Sequence, residues 1–188
     1  MGTILLIVGS VLPLISSVVY VLSIIKGDTR PQRATRFLIA LITGLSFFAL
    51  WSAGDGYGMW LALVSFMQAL AICVLAVKRG IGGHAPLDIL CSVLCGIGLV
   101  AWWLTGESVV GLAAAIFADF VAIVPALVKT WRLPNTETWL FYGLDCAAGL
   151  CVLVAAPLDL LHSAYPLYIV FANAVFVWAI LRPRALVH

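Results

Sequence analysis

Charged residues are scarce in this chain: they make up 10% of its 188 residues, whereas 64% are apolar. A soluble domain of ordinary composition has about 25% charged residues, so a chain with so few cannot cover its surface with charge. No cationic segment precedes the first apolar run and no small-residue cleavage site follows it, so we expect a retained helix there and no removed signal peptide. The composition predicts an integral membrane protein whose main partner is the lipid bilayer.

Residue patterns typical of metal binding and catalysis are also missing. The five cysteines lie inside apolar runs without a CxxC pair, and Cys91 with Cys95 offers too few ligands for a structural zinc site. We interpret them as small apolar fillers. No lysine lies in the last apolar run, which excludes a retinal protein, and His84 and His162 are predicted on opposite sides of the membrane. We therefore expect no metal, no cofactor and no enzyme activity.

Long apolar runs dominate the sequence, and each is close to the length of about 20 residues that a membrane-spanning helix needs. The seven predicted spans cover residues 3–25, 36–53, 57–77, 87–105, 108–129, 138–156 and 163–181. All ten Lys and Arg residues fall in alternate loops and the tail, the side that is cytoplasmic by the positive-inside rule. We predict an all-α, multi-pass fold with the N-terminus outside and the C-terminus inside. The short loops favour a prokaryotic inner (plasma) membrane.

An internal repeat relates the first loop to the fifth at a constant offset of 103 residues. The matching residues are Lys26, Pro31 and Thr35 in the first loop and Lys129, Pro134 and Thr138 in the fifth. The same offset aligns span 1 with span 5, span 2 with span 6 and span 3 with span 7, which leaves span 4 as a linker. We predict a three-plus-one-plus-three plan with parallel repeats, a known transporter plan. Its parts are residues 1–80, the linker 81–106, and residues 107–188.

The fifth loop resembles the second loop motif of the PQ-loop family, which includes the SWEET sugar transporters and lysosomal amino-acid exporters. The segment from Pro125 to Arg132, followed by Asn135-Thr136-Glu137, keeps the spacing of that motif: Pro-Gln-Leu, a basic and aromatic stretch, then Ser-Thr-Glu. Ala126 replaces the family's Gln. In the first repeat Leu22 stands where the Pro would be. The resemblance implies transport of a small solute and makes Pro125 a hinge in span 5, with a static kink as the alternative.

Four polar side chains are predicted near the middle of their spans. They are Gln68 in span 3, Asp119 in span 5, Asp145 in span 6 and Asn173 in span 7. Ionisable groups at such depth are costly, and they usually face the interior of a bundle or a wet cavity. We predict that the four line one solute site, with Tyr142 as an aromatic neighbour that stacks on the substrate. The alternative for the amides is interhelical hydrogen bonding, worth about 1 kcal/mol or less.

Two further expectations concern these residues. The SWEET resemblance implies substrate binding by an amide on each of spans 3 and 7; Asn173 matches that site in helix and depth, and Gln68 is similar in kind. The face of span 5 around Asp119 is small, with alanine at helical spacing, so it should pack against other helices. Its members are Ala115, Ala118, Ala122 and Ala126.

These observations predict a carrier for a small polar solute that works by alternating access. Transport would be coupled to protons if Asp119 or Asp145 is protonated in only one of the two facing states. The alternative is a receptor or assembly protein with the same helices and no transport. No nucleic-acid partner is expected. The identity of the solute (sugar, amino acid or vitamin) and the oligomeric state, homo-oligomer included, stay open.

Overall fold

The computed structural model describes residues 2–53, 56–83, 85–105, 108–155 and 160–182. Within them the fold is all-α, with seven α-helices and a short 3₁₀ helix at Pro134–Thr136. The α-helices are α1 (Gly2–Lys26), α2 (Arg33–Ala53), α3 (Gly56–Arg79), α4 (Pro86–Thr105), α5 (Ser108–Arg132), α6 (Trp139–Ala155) and α7 (Leu160–Leu181). Each predicted span is confirmed as a helix, with its ends within three residues of the prediction.

Two stretches of the described chain are long and apolar enough to cross a membrane by length and composition: α1 and, within α7, Ser163–Leu181. α6 is apolar but shorter, at 17 residues. The helices of the described residues confirm the all-α fold. The number of membrane spans and their orientation stay predictions.

The helices form two compact units. Unit 1 consists of Met1–Thr29 and Leu127–His188, and unit 2 of Arg30–Ala126. In unit 1, α1 and α7 both pack against α6; in unit 2, α3 and α4 both pack against α2. α5 belongs to unit 2 up to Ala126, and its last turns belong to unit 1.

The core of unit 2 lies where α2, α4 and α5 meet. Its buried members are Leu38, Cys91, Ala118, Val121 and Ala122. Ala118 and Ala122 are fully buried, as the small face around Asp119 predicts, because small side chains let neighbouring helices approach closely. The side chain of Ala115, another residue of that face, lies outside the described part. Cys91 packs among these side chains, and its interpretation as an apolar filler stays a prediction.

The loop between α3 and α4 is held by the side chain of Asp88. Its Oδ2 accepts hydrogen bonds from the backbone N–H groups of Gly83 at 2.8 Å and Ala85 at 3.1 Å, and its Oδ1 accepts one from Gln32 Nε2 at 2.8 Å. A carboxylate at the start of a helix satisfies backbone donors that have no intrahelical partner. Asp88 therefore caps the start of α4.

We expect the substitution Gly80→Ala to destabilise unit 2. A Cβ atom at Gly80 would lie 2.4 Å from the carbonyl oxygen of Ala76 and 2.5 Å from that of Pro31. Both are backbone atoms, and Pro31 O also accepts the N–H of Ile81 at 2.9 Å, so neither moves without breaking a contact. The expected cost is about 1–3 kcal/mol in the free energy of unfolding, measured by equilibrium unfolding in detergent micelles.

The matched control for this substitution is Gly96→Ala within α4. A Cβ atom there meets nothing within 4 Å, and alanine has a better helix propensity than glycine. We expect a neutral effect or a stabilisation of up to about 1 kcal/mol. Equal stability of the Gly80→Ala and Gly96→Ala variants would contradict the tight contact at Gly80.

The offset of 103 residues reappears in the contacts inside the two units. In unit 1, Thr138, the residue before α6, donates from its Oγ1 to Ser23 Oγ on α1 at 3.0 Å. In unit 2, Thr35 Oγ1 accepts the N–H of Ala126 at 3.2 Å and joins α2 to α5. Ser23 is 103 residues before Ala126, and Thr35 is 103 residues before Thr138. The two contacts are therefore equivalent under the predicted repeat, although the boundaries predicted for its parts remain a prediction.

Candidate functional site

One face of α1 carries small and hydroxyl-bearing side chains in an otherwise apolar helix. Gly9, Ser16, Tyr20 and Ser23 are all buried, and their spacing of seven, four and three residues places them on one side. This face packs against α6, which runs antiparallel to it. A glycine is needed at position 9, because a Cβ atom there would lie only 2.8 Å from Val152 Cγ2 on α6.

Ser16 on this face contacts the predicted site residue Asp145. Its Oγ donates a hydrogen bond to Asp145 Oδ1 at 2.5 Å and lies 3.0 Å from the carbonyl oxygen of Pro13. Ser16 is completely buried, and Asp145 is half-buried in the middle of α6. The carboxylate is therefore held in position by α1.

A cavity of about 370 Å³ lies among α1, α6 and α7 within unit 1. Asp145, Asn173 and Tyr165 supply its polar side chains, and most of the remaining wall is apolar. Ligand sites commonly enclose about 300–1,000 Å³, so this cavity suits a small solute. The structure thus brings Asp145 and Asn173, which were predicted as site residues, to the same cavity.

The amide of Asn173 is held by its own helix and keeps hydrogen-bonding capacity. Asn173 Nδ2 donates one hydrogen to the carbonyl oxygen of Ile169, one turn earlier, at 2.9 Å. Its Oδ1 atom can accept a hydrogen bond from a solute, and the second Nδ2 hydrogen can donate one. Pro166 in α7 and Pro13 in α1 also line the cavity. A proline inside a helix lacks the N–H that would bond to the carbonyl oxygen four residues earlier, and both helices continue through their prolines.

A second polar cluster in unit 1 centres on Glu137. Its Oε1 lies 2.6 Å from Lys129 Nζ, and the two side chains are only 1% and 7% exposed, respectively. Its Oε2 accepts hydrogen bonds from the hydroxyls of Tyr20 at 2.9 Å and Tyr142 at 3.2 Å. Lys129 Nζ also donates to the carbonyl oxygen of Thr136 at 3.2 Å. The buried charges are therefore paired and hydrogen-bonded, as burial of ions requires.

The local sequence explains how Glu137 reaches Lys129. Pro134 lacks an N–H and disfavours helical geometry at the preceding residue, so α5 ends at Arg132. The 3₁₀ turn at Pro134–Thr136 then reverses the chain and brings Glu137 beside α5. Next to it, the hydroxyls of Ser23, Thr29 and Thr138 lie 2.5–3.0 Å from one another and link α1 to the start of α6.

The structure places the other predicted site residues elsewhere. The ring of Tyr142 stacks on Phe176 with centroids 4.3 Å apart, and its hydroxyl belongs to the Glu137 cluster, so Tyr142 is not among the residues that line the cavity. Gln68 and Asp119 belong to unit 2, where both are half-buried. A single site formed by all five residues stays a prediction.

Pro125 is buried inside α5, and the helix continues through it to Arg132. The next residue, Ala126, donates its N–H to Thr35 Oγ1 at 3.2 Å. This hydrogen bond ties the segment around the proline to α2. Its role as a hinge stays a prediction.

The sequence did not predict the roles of Ser16 and Tyr165, or the contacts of Glu137 with Lys129 and Tyr20. The spacing of Ser16, Tyr20 and Ser23 was a usable signal, because three polar residues on one face of an apolar helix indicate a polar partner. Nothing in the sequence distinguished Tyr165 from the other tyrosines.

The arrangement can hold a small polar solute between a carboxylate, an amide oxygen and apolar walls. Within the described residues there is no group of three or more His, Cys, Asp or Glu side chains that could hold a metal ion. No protein-family model, no curated protein and no solved structure matches this chain.

Proposed function

We propose that this protein is a seven-span membrane carrier that moves a small polar solute by alternating access. The observation that carries the proposal is the cavity in unit 1, where Asp145 and Asn173 meet. Ionisable residues within membrane helices commonly mark substrate or proton pathways. Pro13 and Pro166, each inside a continuous helix, also line this cavity, and each removes one backbone hydrogen bond there.

Embedding in a bilayer is supported by the surface of the helices. Val18 on α1, Val77 on α3 and Val154 on α6 are 59%, 65% and 70% exposed. They belong to a large set of exposed aliphatic and aromatic side chains, which a soluble protein would not leave in water. We propose a multi-pass protein of the prokaryotic inner membrane, oriented with its N-terminus outside because the basic residues lie in alternate loops.

A distant relationship to the PQ-loop transporters belongs to the same proposal. It rests on the motif that runs from Pro125 to Glu137 and on the repeat at 103 residues. The equivalent contacts of Ser23 with Thr138 and of Ala126 with Thr35 support that repeat. In this proposal Asp145 carries the proton coupling together with Asp119.

Counterflow in proteoliposomes tests the proposal. Liposomes that contain the purified protein are preloaded with unlabelled glucose, alanine or choline and then diluted into the labelled form of the same solute. We expect transient accumulation of at least one label above the level in protein-free liposomes, because a carrier exchanges solute across the bilayer. Tight binding of a solute without counterflow would instead favour the receptor alternative and contradict the carrier.

A further inference from the structure

The side chains that line the cavity in unit 1 include the Asp145 carboxylate, the Asn173 amide and the Tyr165 phenol. An ionised carboxylate carries a full negative charge and only accepts hydrogen bonds, and one of the two Asn173 Nδ2 hydrogens is donated to the carbonyl oxygen of Ile169. The residues that line the cavity, all of them in the described part of unit 1, include no Lys, Arg or His. The negative charge of Asp145 and the absence of a cationic side chain among these lining residues therefore favour an occupant that brings a positive charge.

We propose that the cavity binds a small organic cation, an amine or a quaternary ammonium compound. The inference rests on the proposed function in taking this cavity as the solute site. Asp145 supplies the counter-charge, and Asn173 Oδ1 accepts a hydrogen bond from the solute. Tyr165 is an aromatic residue of the lining, and aromatic rings attract ammonium groups through their π faces.

Solutes of other charge fit the lining less well. An anion of the same size would be repelled by the Asp145 carboxylate, and apolar walls screen that repulsion less than water does. A neutral solute would gain no attraction from the Asp145 charge. A cation is attracted by that charge and meets no such repulsion.

Three molecules of nearly the same shape separate these possibilities: choline, the neutral 3,3-dimethylbutan-1-ol, and the anionic 3,3-dimethylbutanoate. Binding of each to the full chain in detergent micelles is measured by titration calorimetry. Choline differs from the neutral alcohol only in its positive charge, which the Asp145 carboxylate attracts across a site that screens charge less than water does. We therefore expect choline to bind about 10- to 100-fold more tightly than the neutral alcohol. Binding of the anion should be undetectable.

Variants show whether the preference comes from Asp145. In Asp145→Asn the shape of the side chain is kept and the charge is lost, so the preference for choline over the alcohol should disappear. Asp28 is an exposed carboxylate in the loop after α1, and the Asp28→Asn variant should keep the preference. Thermal unfolding midpoints of both variants establish that they are folded.

The results that overturn the cation site are distinct from those that overturn the carrier. Equal affinity for the three molecules, a preference for the alcohol or the anion, or no binding of any of them would each overturn the cation site. Counterflow of glucose or alanine in the same preparation would then still support the carrier. Conversely, selective binding of choline that depends on Asp145, without counterflow of any solute, would support the cation site and contradict the carrier.

Discussion

Replacing Lys129 with methionine is expected to destabilise the protein by about 3–5 kcal/mol, because it leaves a buried carboxylate without its counter-ion. Glu137 is 1% exposed and lies 2.6 Å from Lys129 Nζ. Methionine fills much the same volume, so the loss measures the unpaired charge and not an empty space. The free energy of unfolding in detergent micelles is the quantity to compare with the wild-type value.

The repeat offers a matched control for this substitution. Lys26 is the equivalent of Lys129 at an offset of 103 residues, but it is exposed at the end of α1. We expect Lys26→Met to change the free energy of unfolding by about 0.5 kcal/mol or less, as exposed positions usually do. A comparable loss in both variants would contradict a specific role for the buried pair.

The double variant Lys129→Met/Glu137→Gln completes the test. A neutral amide in place of Glu137 can still accept hydrogen bonds from the hydroxyls of Tyr20 and Tyr142. Neither position 129 nor position 137 then carries a buried charge. We therefore expect the double variant to be more stable than Lys129→Met alone, as replacement of both members of a buried pair is often tolerated. If the double variant were less stable than Lys129→Met, the buried charge would not be the cause of the loss.

The helices could be predicted from the sequence because long apolar runs and their polar boundaries act locally. Pro134 ends α5 at Arg132, and Gly27, with a φ of 90°, ends α1 after Lys26. Asp145 and Asn173 were found by the same kind of argument, since a polar group in an apolar run is conspicuous. Each of these predictions depends on residues that are close together in the chain.

The partner of each helix could not be predicted in the same way. α1 packs against α6, more than a hundred residues later, and the apolar runs would fit several other pairings equally well. Tyr142 was assigned to the substrate because it is aromatic and close to Asp145. Its hydroxyl instead reaches Glu137, a contact that exists only once the turn after α5 has formed.

The substitution Asp145→Asn is also expected to have a large effect on the accumulation of choline that a pH gradient drives. One carboxylate can hold a proton or an organic cation but not both charges at once, so choline and protons should exchange through Asp145. Choline should then accumulate in liposomes whose interior is more acidic than the outside, because protons leave as choline enters. For one-to-one exchange, a gradient of one pH unit can support about tenfold accumulation.

Asp145→Asn should reduce the ratio of choline inside to choline outside to about one, since an amide cannot take up and release a proton near neutral pH. Asp28→Asn should accumulate choline like the wild type, because Asp28 is exposed in the loop between α1 and α2. Asp119→Asn, measured alongside, tests the second acid predicted to take part in coupling. Accumulation that ignores the pH gradient in the wild type, or that survives in both Asp119→Asn and Asp145→Asn, would remove proton coupling from the mechanism, because no other acid is predicted in the middle of a span.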